Sequence, residues 1–307
     1  MIQKTDYIWM DGNLTKWDDA KIHVLIHSLH YGVAPFEGIR AYTTESGKPA
    51  VFRLDKHIDR FFDSAHIVMM DYPYTKKEVM NAVIETLQKN KLRAGYIRPI
   101  AYIGYGDMGL YVENNPVHIA IAAWPWGAYL GDDGIKNGIR IKIASYVRYN
   151  VNAAMSKAKI SGYYVNSILA KKESKLAGYD ETILLDEDGY IAEGSGENVF
   201  IVKNGVLKTP PLTSILPGIT RETIIQLAKE SGIPVDETRF TRDELYVADG
   251  AFLTGTAAEI TPIREVDNRK IGTGKPGAIT KHIQKRFFDI VKGKDKKHKD
   301  WLFYYKV

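Results

Sequence analysis

The stretch "EGSGENVFIVKNGVLKTPPLTSILPGITR" (193–221) decides how this sequence is read. It opens on a glutamate among glycines and runs through an apolar strand-like core. It breaks at Lys-Thr-Pro-Pro and leaves through Pro-Gly-Ile-Thr-Arg. A core strand needs none of that punctuation. The pattern predicts a strand at "ENVFIV" (197–202) and a helix at "GITRETIIQLAKESG" (218–232), with Thr220 placed to cap it. Unpaired N–H groups at such a helix start, with the helix dipole, suit an anion. A plain capped helix begins the same way, so this segment alone does not choose.

Outward from it, strand-like and helix-like segments are mixed along the whole chain, without repeats or low-complexity linkers. "DKHIDRFFDSAHIVMM" (55–70) puts Ile58, Phe61, Phe62, Ala65, Val68 and Met69 on one helical face. "TKKEVMNAVIETLQKN" (75–90) opens with a Thr-x-x-Glu capping box and buries Val79, Met80, Val83, Ile84 and Leu87. Strands are expected at 95–104 and 117–124, then at "GIRIKIASY" (138–146). A helix follows at 162–178, then a hairpin through Asp-Gly at 181–194. "ELYVADGAFLTGTAAEITPI" (244–263) reads as strands and "PGAITKHIQKRFFDIV" (276–291) as a helix. "PWGAYLGDDG" (125–134) fits neither period. The expected organisation is two α/β domains (α+β in type), 1–124 and 134–307, joined by an interdomain loop at 125–133.

With 307 residues, 45% of them hydrophobic and 26% charged, the chain can bury a sizeable core. Apolar runs such as "HIAIAAW" (118–124) are strand-sized, too short to span a membrane as a helix. The start "MIQKTDYIWMDG" lacks the basic and apolar regions of a signal peptide. Zero cysteines exclude disulfides and thiol chemistry and fit a cytoplasmic location. The net charge of +5 gathers at Lys292, Lys294, Lys296, Lys297 and Lys299, which read as a solvated tail. No basic stripe interleaved with aromatics points to nucleic acid.

His23, His27 and His30 have helical metal-ligand spacing, but their surroundings are β-branched and no His-Glu-x-x-His pattern follows, so no metal is expected. "LTGTAAE" (253–259) offers a polar turn in which Thr256 and Ala257 present backbone N–H groups. Arg60, beside Phe61, is either a snorkelling surface residue or a guanidinium aimed at an anion. Lys171, Lys172 and Lys175 read as solvated cations late in a helix. Lys157 and Lys159 stand among small and apolar residues, where desolvation would depress a lysine toward use as a Schiff-base nucleophile. Pattern alone does not separate them.

The opening segment resembles the signature of the class IV aminotransferases, the fold-type IV pyridoxal-phosphate enzymes. The matching points are Glu193, Ser195, Asn198-Val199-Phe200, Leu207, Thr209, Leu216, Gly218-Ile219 and Arg221. "SLHYGVAPFEGIRAY" (28–42), "HIDRF" (57–61), "YIRPIAYIGYGDMGL" (96–110), "AWPWGAYLG" (123–131) and "AKISGYYVNSILAKKE" (158–173) extend the likeness to the branched-chain amino acid aminotransferases. The resemblance implies pyridoxal 5′-phosphate as cofactor, held by Lys159 as its Schiff-base and catalytic lysine. Glu193 would serve the pyridine nitrogen and Tyr164 the ring hydroxyl. Arg60, Ile219, Thr220 and Thr256 would hold the phosphate.

The same resemblance implies an α-carboxylate site at Tyr96, Thr256 and Ala257 and an apolar pocket of Phe36, Trp126, Tyr129 and Tyr164. Arg98, helped by Tyr31, would receive the distal carboxylate of glutamate. It implies ping-pong transfer of the amino group between L-leucine, L-isoleucine or L-valine and 2-oxoglutarate. The partners are these small molecules, neither nucleic acid nor membrane. It further implies a homodimer with shared sites, where Tyr31 and Leu110 lie over the partner's cofactor; trimers of such dimers are compatible with it. D-Amino acid aminotransferases use an Arg-x-His pair after the 95–104 strand, whereas residues 99–117 contain no Arg, Lys or His. R-amine transaminases and aminodeoxychorismate lyases are not expected to combine Tyr31, Phe36, Tyr96 and Arg98. A catalytically silent homologue would not need the lysine, glutamate and phosphate groups together.

Overall fold

The alternating residues of "GYIRPIAYI" and "VHIAIAAW" form the two longest strands of the first of two sheets in the computed structural model, which describes residues 2–307. This sheet contains β1 (Tyr7–Met10), β2 (Asn13–Lys16), β3 (Ile39–Thr43), β4 (Pro49–Phe52), β5 (Gly95–Ile103) and β6 (Val117–Trp124). Its strands run antiparallel in the order β4-β3-β5-β6-β1-β2. The helices of this unit are α1 (His27–Tyr31), α2 (Leu54–Ile67) and α3 (Lys76–Lys89). Ile97, Ile119, Ile121, Phe61, Val83 and Leu87 form a core without solvent exposure. Each such side chain contributes roughly 1.5–3 kcal/mol by leaving water.

Thr75 caps α3, and Glu78 returns the bond to complete the capping box. α2 stops at Ile67, earlier than the sequence suggests. Phe62 and Val68 are half-buried, and Met69, at φ +55°, is exposed rather than part of the apolar face.

The second unit carries α4 (Gly131–Asn137), β7 (Ile139–Val147), α5 (Tyr164–Leu176), β8 (Glu181–Leu185) and β9 (Ile191–Gly194). It continues with β10 (Asn198–Lys203), β11 (Val206–Thr209), α6 (Ile219–Glu230), β12 (Val235–Glu237), α7 (Arg242–Tyr246), β13 (Gly250–Gly255), β14 (Glu259–Val266) and β15 (Arg269–Lys270). Its mixed sheet has the order β12-β11-β10-β13-β14-β7-β8-β9, with β15 beside β14. Phe200 and Phe252 stack across β10 and β13 at 5.1 Å. Two sequence readings change here. The end of the 125–134 segment is helical, as α4, and "ELY" belongs to α7, where Thr241 and Glu244 make a second capping box.

The units are not contiguous in sequence. Ala158–Tyr163 and Asp289–Val307 belong with the first unit, and the second begins at Ala128. This differs from the division at 124 and 134. Pairing accounts for the difference: Ile160 bridges Pro35, and after α8 (Ala278–Val291) the strand β16 (Leu302–Tyr304) pairs antiparallel with β4. The Lys-rich segment is therefore anchored, although its lysines are exposed. His298 is buried against Trp301, and the Arg53 guanidinium lies 4.6 Å from the Trp301 ring.

Candidate active site

In the first unit, the backbone of Lys159 is held on both sides. Its N–H donates to Ser64 Oγ (3.0 Å) and its carbonyl accepts from Phe36 N–H (3.0 Å). Ser64 Oγ donates in turn to the Arg60 carbonyl on α2 (2.8 Å). Gly162 must lack a side chain, because a Cβ there would lie 2.9 Å from the Gly32 carbonyl oxygen. The pairing of 34–36 with 158–161 thus fixes where the lysine emerges.

Arg60 is buried and is no snorkelling residue. Its Nε donates to Glu37 Oε1 (2.7 Å) and Nη2 to Oε2 (3.0 Å), while His57 Nδ1 lies 2.7 Å from Oε2. Burial acts to raise the Glu37 carboxyl. The charges of Arg60 and His57, with their hydrogen bonds, outweigh it and hold the group well below the usual carboxylate range. Burial pulls His57 down against the opposing pull of Glu37, leaving it below its ordinary value. The Lys159 amine is brought down to about 8, by burial first and then by Arg60 and Arg98, against Glu37 and Tyr96. Sequence reading passed over Glu37 and His57. The available signal was the polar series His57, Arg60, Ser64 on the buried face of α2.

Around this lysine the first unit gathers an aromatic set. Lys159 Nζ and Arg98 Cζ each lie 4.8 Å from the Phe36 ring centroid. Tyr96 meets Trp126 edge-on at 4.6 Å, and Arg98 Nη2 donates to Tyr96 Oη at 3.4 Å. Gly38 makes room for Tyr96, since a Cβ there would fall 1.9 Å from its hydroxyl oxygen. Arg98 Nε is buried without a hydrogen-bond partner. Tyr31 and Leu110 stand apart. Tyr31 packs on His27 at 4.6 Å, and Leu110, 90% exposed, follows Gly109, whose carbonyl lies 2.7 Å from His27 Nε2. His30 bonds the Val24 carbonyl at 2.9 Å.

In the second unit, buried Glu193 at the end of β9 has Arg148 Nε at 2.7 Å. Asn198 Nδ2 and the Leu216 N–H each donate to it at 3.2 Å. Asn198 also donates to the Leu216 carbonyl (3.1 Å), tying β10 to the approach to α6. Gly218 is the N-cap of α6 with no side-chain cap, and Thr220 lies buried within the helix, so Thr220 is not the cap. The first amides of α6, Ile219 and Thr220 among them, have no helical carbonyl to bond. Thr256 and Ala257 are half-buried in the turn between β13 and β14, and Tyr164 is the half-buried first residue of α5.

Lys171 is not a solvated cation. It pairs with the fully buried Glu181, which also accepts from Ser195 Oγ (2.8 Å), and it lies 5.3 Å from the Tyr129 ring. Lys157 differs from Lys159: its amine donates to the carbonyls of Leu212, Thr213 and Ile215. Arg148, Glu181 and Glu197 carried no separate signal in sequence.

Taken separately, the first unit holds a buried amine of lowered pKa, and the second holds a buried carboxylate and a helix start without a side-chain cap. Residues 34–266 match the profile of the family described as Amino-transferase class IV. The chain belongs to this family. It is 51% identical over 301 residues, 98% of each chain, to the branched-chain-amino-acid aminotransferase of Pseudomonas aeruginosa. The crystal structure of the Escherichia coli branched-chain amino acid aminotransferase superposes with a TM-score of 0.96 at 46% identity, covering 98% of this chain and 99% of that one. The PLP form (holo form) of the branched-chain amino acid aminotransferase from Thermobaculum terrenum gives 0.92 at 33%, covering 99% of both chains. The fold is fold type IV.

Proposed function

We infer that this protein is a branched-chain amino acid transaminase that uses pyridoxal 5′-phosphate. It exchanges the amino group reversibly between L-leucine, L-isoleucine or L-valine and 2-oxoglutarate. The 51% identity over 98% of both chains with a curated enzyme of that name carries the reading. The lowered pKa of Lys159 supports it independently.

The cofactor, when bound, supplies an electron sink for the charge left at the substrate α-carbon. Lys159 would hold it until the substrate's amino group displaces the lysine, and the freed Nζ would then take the α-proton and pass it on, as an amine near pH 8 can. Glu193 would keep the ring nitrogen protonated, Tyr164 would bind the ring hydroxyl, and Arg60, Ile219, Thr220 and Thr256 would bind the phosphate. Tyr96, Thr256 and Ala257 orient the α-carboxylate. Phe36, Trp126, Tyr129 and Tyr164 bind the branched side chain and exclude water. Arg98 receives the second carboxylate of glutamate with the help of Tyr31. Its buried, unpartnered Nε supports that assignment.

The working form is a homodimer in which Tyr31 and Leu110 serve the neighbouring copy's site, and it acts in the cytoplasm. The exposed apolar residues Leu29, Met108, Leu110 and Tyr111 support the dimer. Separately, no helix of the described residues is long and apolar enough to cross a membrane. Single-turnover half-reactions with Leu, Ile, Val, Glu, D-Ala and (R)-1-phenylethylamine test the reading. The first four should convert. Faster conversion of D-Ala or the R-amine would refute it.

A further inference from the structure

Glu37 has no solvent exposure, and both of its carboxylate oxygens accept hydrogen bonds from the protein. Oε1 takes Arg60 Nε, while Oε2 takes His57 Nδ1, Arg60 Nη2 and the Gly38 N–H (3.1 Å). Its backbone is as constrained as its carboxylate: the Glu37 N–H donates to the Pro99 carbonyl on β5 (2.9 Å), and the preceding Phe36 holds the Lys159 carbonyl. A carboxylate this buried, with both oxygens held by the protein's own donors, is closed off from solvent. It acts on its surroundings through charge and through the groups it aims.

Those surroundings are unbalanced. The ionisable groups acting on the Lys159 amine are Arg60 from α2, Arg98 and Tyr96 from β5, and Glu37. His57, on α2, also senses the lysine. Both guanidinium groups disfavour a protonated amine, and Glu37 supplies the carboxylate that opposes them. The same carboxylate grips Arg60 through two nitrogens, which fixes the guanidinium plane.

We propose that Glu37 is a positioning residue with two separable tasks: its reach aims Arg60, and its charge offsets the cations around the Lys159 amine. His57 completes the device by holding Oε2 as well, at 2.7 Å. The proposal rests on the reading of Lys159 as the cofactor lysine and of Arg60 as a phosphate ligand. A purely structural buried ion pair would instead affect melting alone.

Two variants of the full-length chain separate the tasks. Glu37→Gln removes the charge at nearly constant shape, and Glu37→Asp keeps the charge but shortens the reach. In protein stripped of cofactor, competitive acetylation against pH, mapped by mass spectrometry with exposed Lys296 as internal standard, gives the Lys159 midpoint. Calorimetry with inorganic phosphate reads the anion site.

Glu37→Gln should lower the Lys159 midpoint by about one pH unit, the low end of what one neighbouring charge does. Glu37→Asp should leave that midpoint near wild type but weaken phosphate binding about tenfold, the scale of a charged hydrogen bond. An unmoved midpoint in folded Glu37→Gln overturns the proposal. If Glu37→Gln does not fold, Glu37→Asp decides, and wild-type phosphate affinity there overturns it. Borohydride trapping of the holoenzyme distinguishes the two levels. A label absent from Lys159 defeats the functional reading, whereas a label present with unmoved midpoints defeats this inference alone.

Discussion

Arg148 Nε lies 2.7 Å from Oε1 of Glu193, and both side chains are buried. The pairing keeps a negative group at the end of β9. Glu193→Gln should retain near-normal cofactor content, because the proposed phosphate ligands are untouched, yet slow the half-reactions by orders of magnitude. Arg148→Met should act on stability instead, costing about 3–5 kcal/mol by leaving a carboxylate uncompensated. Stopped-flow rates and urea titrations read the two. Wild-type rates in Glu193→Gln would mean that another group governs the ring nitrogen.

Gly218 is where Asn198 leaves no room: a Cβ there would meet Asn198 Oδ1 at 1.9 Å. Gly218→Ala should push Asn198 off Glu193 and the Leu216 carbonyl, destabilising by roughly 1–3 kcal/mol. It should also weaken cofactor retention. An unchanged melting temperature and cofactor content would contradict this account of the Gly-Ile-Thr start.

Glu197 gives a pH signature. Burial, then the charges of Glu181 and Glu193, push its carboxyl up to about 8 against the pull of Lys171. The folded protein therefore holds a proton there that the unfolded chain has lost, and this contribution to stability falls as pH rises from the ordinary glutamate range through about 8. Glu197→Gln should remove that slope and gain relative to wild type between pH 5 and 9. Parallel stability curves for the two proteins would rule the charge assignment out.

One pocket serves both leucine and glutamate in this account, with Arg98 acting only on the second carboxylate. Arg98→Met should depress glutamate turnover at least tenfold more than leucine turnover, the worth of a charged hydrogen bond. Leu, Ile and Val should stay within roughly a hundredfold of one another, since a methylene discriminates weakly. Equal losses for leucine and glutamate would remove Arg98 from its role.

Local signals in the sequence reported local structure well. Thr75 and Glu78 lie three residues apart, so the start of α3 was readable, as was the Asp-Gly hairpin before Glu193. At 244–246, strand-forming neighbours masked a short helix whose capping box was present in the sequence. Periodicity does not mark where a helix stops, so the apolar pattern runs on to Met69 while α2 ends at Ile67. Glu37 meets His57 and Arg60, and Arg148 meets Glu193, across 20, 23 and 45 residues of chain. No spacing rule links such pairs. The return of 158–163 and 289–307 to the first unit is likewise a matter of strand pairing between distant segments.

The most direct test of the central claim is to find which lysine carries the cofactor. Lys157 and Lys159 are two residues apart and both have lowered pKa values, but the Lys157 amine is bound to backbone carbonyls, whereas burial and Arg60 bring Lys159 to about 8. Borohydride reduction of the holoenzyme followed by peptide mapping should place the phosphopyridoxyl group on Lys159. A label on Lys157, or on neither, would contradict the account.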